Sequence, residues 1–103
     1  MKVIHDILAF EWDNGNLQKS YAKHSVSTKE AEEIFVSDKL FAIPDVQHSG
    51  KEKRYIALGQ TLNKKNLFVV FTIRSNKIRI ISARRMHQKE VKRYEKAQKD
   101  TNI

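Results

Sequence analysis

Residues 67–85 read LFVVFTIRSNKIRIISARR, and the fold turns on this stretch. Leu67–Ile73 is apolar apart from Thr72 and rich in β-branched and aromatic side chains, the composition of a buried strand. Ser75-Asn76 supplies turn residues, and Lys77–Ala83 returns as a second strand, so the two predict a hairpin. The returning strand interleaves Ile78, Ile80 and Ile81 with Arg79, then runs into Arg84-Arg85. Guanidinium groups on a rigid central strand suit an anionic ligand, above all a phosphate backbone, because their planar fork matches two anionic oxygens at once.

On the C-terminal side, Met86–Lys99 (MHQKEVKRYEKAQK) places His87, Val91, Tyr94 and Gln98 along one side at helical spacing. This predicts a helix with a narrow apolar stripe and a basic outer face, followed by a frayed tail over 100–103. On the N-terminal side, Arg54–Leu58 predicts a strand ended by Gly59, with a turn over Leu62–Asn66. Asp45–Lys53 is a polar loop, and Leu40–Ile43 is a short strand that Pro44 closes and assigns to the sheet edge. Ser27-Thr28-Lys29-Glu30 is a capping box with Val26 and Ala31 as a hydrophobic staple, and Ala31, Ile34 and Phe35 give its helix an apolar stripe as far as Ser37-Asp38. Ahead of it, Asp13 stands as the N-cap of a first helix whose stripe is Leu17, Tyr21 and His24. Val3–Phe10 opens the chain as a strand, with Phe10 and Trp12 on one side. The order β-α-α-β-β-β-β-α predicts a single α+β domain over residues 1–103, an antiparallel sheet with two N-terminal helices and one C-terminal helix.

Composition narrows the function. The chain has 103 residues, is 40% apolar and 31% charged, and contains no cysteine, so disulfide and thiolate chemistry are excluded. No run of 18 apolar residues and no basic-then-apolar leader occurs. The expectation is therefore a cytoplasmic protein with no membrane span. The net charge of +8 is divided unevenly, with 6 Lys/Arg against 9 Asp/Glu in residues 1–52 and 14 against 3 in residues 53–103. Such a division favours one positive face, and with it nucleic acid or an acidic protein as partner.

Several enzyme classes drop out. His5, His24, His48 and His87 have no metal-site spacing, the three glycines are isolated, and neither G-x-S-x-G nor a Cys nucleophile is present. No metal or other cofactor is expected. The remaining candidates are Lys23-His24 at the end of the first helix, His48 and Glu52 in the polar loop, and Arg54, Arg79, Arg84 and Arg85 on or next to strands. A His on an apolar face more often packs than reacts, and a single strand Arg usually lies along the sheet surface. Four arginines on one sheet make a phosphate-binding face. Arg74, Lys77, Lys89 and Arg93 extend the basic surface as RNA-binding candidates. These groups support one reaction that needs no metal. The 2′-OH of RNA, deprotonated by a base, attacks the adjacent phosphorus while arginines stabilise charge on the phosphoryl oxygens. A non-catalytic RNA- or DNA-binding module, or a module that docks on an acidic protein, would use the same charges.

The ordered set of motifs resembles the BrnT-type toxins of bacterial type II toxin–antitoxin pairs. The matching pieces are Phe10-Glu11-Trp12-Asp13, Lys23-His24 followed by Val26 and Glu30-Ala31, Pro44-Asp45 with His48-Ser49, Glu52–Gly59, Ile78–Arg85 and Glu90–Glu95. Ser25 stands where that family usually has Gly, and the C-terminal helix is rich in Lys rather than Arg. The resemblance implies a RelE-like fold, a growth-inhibiting toxin with ribosome-independent or translation-inhibiting endoribonuclease activity, and neutralisation by a cognate dimeric DNA-binding antitoxin (BrnA-like). It carries the family's functional positions onto Lys23, His24, His48, Glu52, Arg54, Arg79, Arg84 and Arg85. By residue type, Glu52 or His24 is assigned as base and His48 or Lys23 as acid.

Overall fold

A computed structural model describes residues 9–12, 23–48 and 50–101 of the chain. In order it contains β1 (Ala9–Trp12), α1 (Thr28–Glu33) running into a 3-10 turn (Ile34–Val36), β2 (Phe41–Pro44) and a 3-10 turn (Val46–His48), then β3 (Tyr55–Gln60), β4 (Asn66–Arg74), β5 (Lys77–Arg85) and α2 (Gln88–Thr101). Lys23 and His24 are helical. The rest of the first helix expected from Asp13, and the strand expected from Val3 as far as residue 8, lie outside the described residues.

The hairpin forms where its sequence predicts it. Ser75 and Asn76 both take positive φ, 52° and 62°, the two-residue turn whose twist matches that of the strands it joins. The five strands lie in the order β1-β5-β4-β3-β2. β2, β3, β4 and β5 pair antiparallel through short connections, whereas β1 runs parallel to β5, with Phe10 beside Ile78 and Trp12 beside Ile80. The sheet is therefore mixed rather than antiparallel throughout. β1 and β5 are joined through most of the chain, so no turn fixes their relative direction.

Register divides the sheet into two faces. Ala57, Leu67, Val69, Phe71, Ile78, Ile80 and Ala83 share one face and are buried against Val26, Ala31, Ile34 and Phe35 from α1 and its flanks. Phe35 is wedged between Phe10 and Phe71 (ring centroids 5.6 and 5.0 Å), and Tyr55 stacks on Phe71 at 5.3 Å. The capping box is complete: the Glu30 amide donates to Ser27 Oγ, and the Ser27 amide donates to Glu30 Oε1, both at 3.1 Å. Trp12 Nε1 donates to Glu32 Oε2 at 3.0 Å and ties β1 to α1. Gly59 does not end β3. It lies inside the strand because Ile34 crosses directly over it, and a Cβ there would sit 2.7 Å from Ile34 Cβ.

The other face carries Phe41, Ile43, Ile56, Leu58 and Phe68 under α2, with Glu90, Arg93 and Ala97 lining the same space of about 160 Å³. Tyr94 is buried, and its hydroxyl donates to the Lys39 carbonyl at 2.8 Å, which also accepts Gln98 Nε2 at 2.9 Å. Burial pushes the Tyr94 phenol above its ordinary pKa. The apolar stripe expected from His87 is thus rotated: Tyr94 and Gln98 face inward, while the His87 ring is largely exposed. The helix includes Asp100 and Thr101, and the rest of the tail expected over 100–103 lies outside the described residues.

Ser25 follows the helical residue His24 with φ of 54°, a left-handed conformation that costs a residue with a Cβ about 1–2 kcal/mol. Ser25→Gly should therefore stabilise the fold by about 1 kcal/mol after glycine's larger entropy loss is counted. Thermal denaturation should register a gain of about 4–8 °C. Gly59→Ala should instead cost about 1–3 kcal/mol, because Ile34 cannot move off the strand.

Candidate active site

Beyond the edge of α2, the same sheet face continues into an open cleft of about 400 Å³, lined by Asp45, Gln47, His48, Arg54, Ile56, Phe68, Val70, Ile81, Ser82 and Arg84. Its floor is the middle of β3, β4 and β5. Its wall is the loop between β2 and β3, pinched at the base by the Asp45 amide donating to the Arg54 carbonyl at 2.8 Å. That bond fixes the entry and exit of the loop and sets His48 and Arg54 on the same rim.

His48 closes the 3-10 turn Val46–His48, which brings its ring back over Asp45. Nδ1 lies 2.9 and 3.1 Å from the two Asp45 carboxylate oxygens. An ionised carboxylate can only accept, so Nδ1 carries a hydrogen there, and in the neutral tautomer this selects Nε2 as the acceptor nitrogen. The imidazole is largely exposed whereas the Asp45 carboxylate is mostly covered, 65% against 12%. Asp45 gives no site signal in the sequence alone; its i, i+3 spacing to His48 acquires meaning only through the 3-10 turn.

Arg84 is held from three sides. Its guanidinium lies 3.9 Å from the centroid of the Phe68 ring. Nη1 and Nη2 donate to the two Glu90 oxygens at 2.8 and 2.9 Å, and Nη1 also donates to the Arg85 carbonyl at 3.1 Å. Glu90 in turn accepts the His87 amide at 2.7 Å, in the first turn of α2. The Arg84 hydrogen bonds hold the Glu90 carboxyl below its ordinary pKa of 4.5, with the His87 amide adding to the effect and burial opposing it.

Arg79 shares the cleft face. It stands beside Thr72 in register, and Lys77 stands beside Arg74. Strict alternation along β5 would put Arg79 and Arg84 on opposite faces. Ile81 breaks the alternation, because Ser82 pairs with Val70 and Ile80 with Phe71, leaving Ile81 as a bulge. Glu52 reaches this end of the face and accepts Arg74 Nε and Nη2 at 3.0 and 2.8 Å. Arg74 holds the Glu52 carboxyl below 4.5, first through those hydrogen bonds, with smaller contributions from the Thr72 hydroxyl and the Arg79 charge. The Thr72 Oγ1 itself is buried without a hydrogen bond of normal geometry.

The structure thus gathers His48, Arg54 and Arg84 in one cleft, and places Arg79, Arg74, Lys77 and Glu52 farther along the same face. Arg85 does not line it: in register with Leu67, it is on the α1 side of the sheet. Lys23 and His24 are also not brought into it. They precede Val26, which is buried in the core on the α1 side. Lys89 is exposed on α2, and Arg93 borders the smaller space beneath that helix. Among the described residues, no helix is long and apolar enough to cross a membrane.

A mixed sheet with helices packed on it, an arginine-lined cleft and a His–Asp pair on its rim define an α+β domain. A family model described as the ribonuclease toxin BrnT of type II toxin–antitoxin systems matches residues 12–90. The chain belongs to that family. Among solved structures, it resembles the Brucella abortus ribonuclease toxin BrnT at a TM-score of 0.60 and 21% identity, over 79% of this chain and 100% of that one. That likeness shows a shared fold. No significant match is found among curated proteins.

The lowered carboxyls make the stability acid-sensitive. Lys65 and the Ser27 amide hold Glu30 below 4.5, as Arg84 holds Glu90. A carboxyl that ionises more readily when folded contributes fully above its unfolded pKa and loses that contribution as the pH falls through its folded value. Urea denaturation should therefore show constant contributions from both groups above about pH 4.5, their unfolded value, and a decline below it. Glu30→Gln should flatten that decline.

Proposed function

We propose that this chain is the growth-inhibiting toxin of a type II toxin–antitoxin pair and a metal-independent endoribonuclease that cleaves RNA through its own 2′-OH. The carrying observation is the His48–Asp45 pair on the rim of a cleft lined by Arg54 and Arg84. His48 Nε2 takes the 2′-OH proton while Asp45 holds the ring and stabilises the imidazolium that forms. The 2′-oxygen attacks phosphorus, and Arg54 and Arg84 stabilise the charge on the phosphoryl oxygens. The 5′-oxygen leaves with a proton from solvent, to which the cleft is open. The RelE-like classification and the antitoxin belong to the same reading: a cognate dimeric DNA-binding protein neutralises the enzyme.

This reading redistributes the roles expected from residue type. His48 becomes the base rather than the acid. Glu52, whose proton affinity Arg74 lowers, is a counter-ion that fixes the guanidinium. RNA lacks nothing this mechanism requires, whereas DNA has no 2′-OH and would bind uncut.

A digest of defined RNA with and without EDTA tests the proposal. Cleavage should survive EDTA and leave 2′,3′-cyclic phosphate or 3′-phosphate ends with 5′-hydroxyls. Intact RNA with salt-sensitive binding would replace the enzyme by a binding module. His48→Ala should lower the cleavage rate by about 10²–10⁴-fold while leaving affinity for an uncleavable 2′-O-methyl RNA nearly unchanged. Equal rates in the variant and the parent would remove His48 from the mechanism.

A further inference from the structure

Glu90 presents a paradox. A site that binds phosphate keeps a carboxylate in direct contact with one of its own arginines, in a chain whose C-terminal half contains few acids. Counting donors resolves it. A guanidinium has five N–H groups in one plane. Both Nη1 hydrogens are used, one on Glu90 and one on the Arg85 carbonyl, and one Nη2 hydrogen is used on Glu90. Among the described residues nothing takes the other two, Nε–H and the outer Nη2–H, which lie parallel on one edge. That pair is the fork which takes two oxygens of a phosphate.

The remaining contacts hold that edge in one place. Phe68 packs on the guanidinium plane at 3.9 Å, and Glu90 grips its far end with two bonds. Glu90 is itself fixed at the first turn of α2 by the His87 amide, and α2 is anchored through Tyr94 and Gln98 to the Lys39 carbonyl. We propose that Glu90 is a positioning residue: it acts through Arg84, turning the free Nε/Nη2 edge toward non-bridging phosphate oxygens in the cleft, and never touches the RNA. The role rests on the RNA-binding reading above. The cost of a negative charge near phosphate is offset by the loss of rotational freedom in Arg84, which would otherwise have to be frozen when RNA binds.

The test is a double-mutant cycle with Arg84→Ala and Glu90→Gln, read on cleavage of a short RNA and on affinity for its 2′-O-methyl analogue. Gln retains a carbonyl oxygen for the His87 amide, so the helix start survives; circular dichroism and melting of each variant check this. Arg84→Ala should slow cleavage by about 10²–10³-fold, and Glu90→Gln by about 10–100-fold, as for partners that orient a functional side chain. The double variant should be no slower than Arg84→Ala alone, and the affinities should show the same lack of additivity. A phosphorothioate at the cleaved linkage adds a readout that mere destabilisation would not move. Its slowing of one diastereomer should shrink in Glu90→Gln and vanish in Arg84→Ala. Losses that multiply, or a Glu90→Gln protein with parental rate and affinity, overturn the role. If the parent binds RNA but leaves it intact, the ribonuclease reading fails by itself, and the affinity cycle still decides the positioning role.

Discussion

The pairing of β4 with β5 is the constraint on which the rest of the molecule depends. Two consecutive left-handed residues, Ser75 and Asn76, start it in a fixed register. From there Ile78 and Ile80 meet Ile73 and Phe71 on the core side, while Arg79 meets Thr72 on the other. Uninterrupted alternation would continue by sending Arg84 into the core face and Ala83 out of it. The bulge at Ile81 reverses the sense, burying Ala83 and bringing Arg84 over Phe68. One extra residue thus assembles the arginine face, and the added local twist of a bulge accompanies the cleft.

Charge on that face is organised by pairing rather than accumulated. Arg84 is bound to Glu90 and Arg74 to Glu52, and Lys77 lies 3.9 Å from Glu11. These pairs are partly exposed, and their worth to stability is small. Their greater consequence is geometric: Glu90 with both its oxygens, and Glu52 with one oxygen that takes Nε and Nη2 together, each select one orientation of a long, flexible guanidinium side chain. Asp45 has the corresponding effect on His48, with a carboxylate setting the hydrogen on Nδ1 and freeing Nε2. The acids that interrupt the basic surface are therefore the parts that give it direction.

Local chemistry explains what was legible in the sequence. The capping box at Ser27–Glu30, the turn at Ser75-Asn76 and the edge strand ending in Pro44 each depend on neighbours within a few residues. The motif order of the chain also pointed to its family, which the match over residues 12–90 supports. What depended on distant parts was not legible. The parallel pairing of β1 with β5 needs a partner some seventy positions away. Gly59 reads as a strand end until Ile34 is seen crossing it. Arg84-Arg85 reads as a single double-arginine site, although a strand must separate adjacent side chains to opposite faces. Asp45 carries no signal without the turn that folds His48 back onto it.

Two kinds of basic residue then have different consequences. Lys89, Lys92, Lys96 and Lys99 lie exposed on α2, and flexible ammonium groups there raise the potential without fixing a ligand's orientation. On the proposed reading their effect is on encounter and on salt dependence, since each phosphate neutralised releases counterions whatever the RNA sequence. Arg54 and Arg84 line the cleft beside His48, and in the proposed mechanism they act after that encounter. A net charge concentrated in the C-terminal half accounts for attraction to any polyanion, including an acidic segment of a neutralising partner. It does not account for chemistry at one phosphate. That requires a fixed guanidinium edge and an oriented imidazole within the same cleft, and both are produced by carboxylates that lower the very charge the sequence displays.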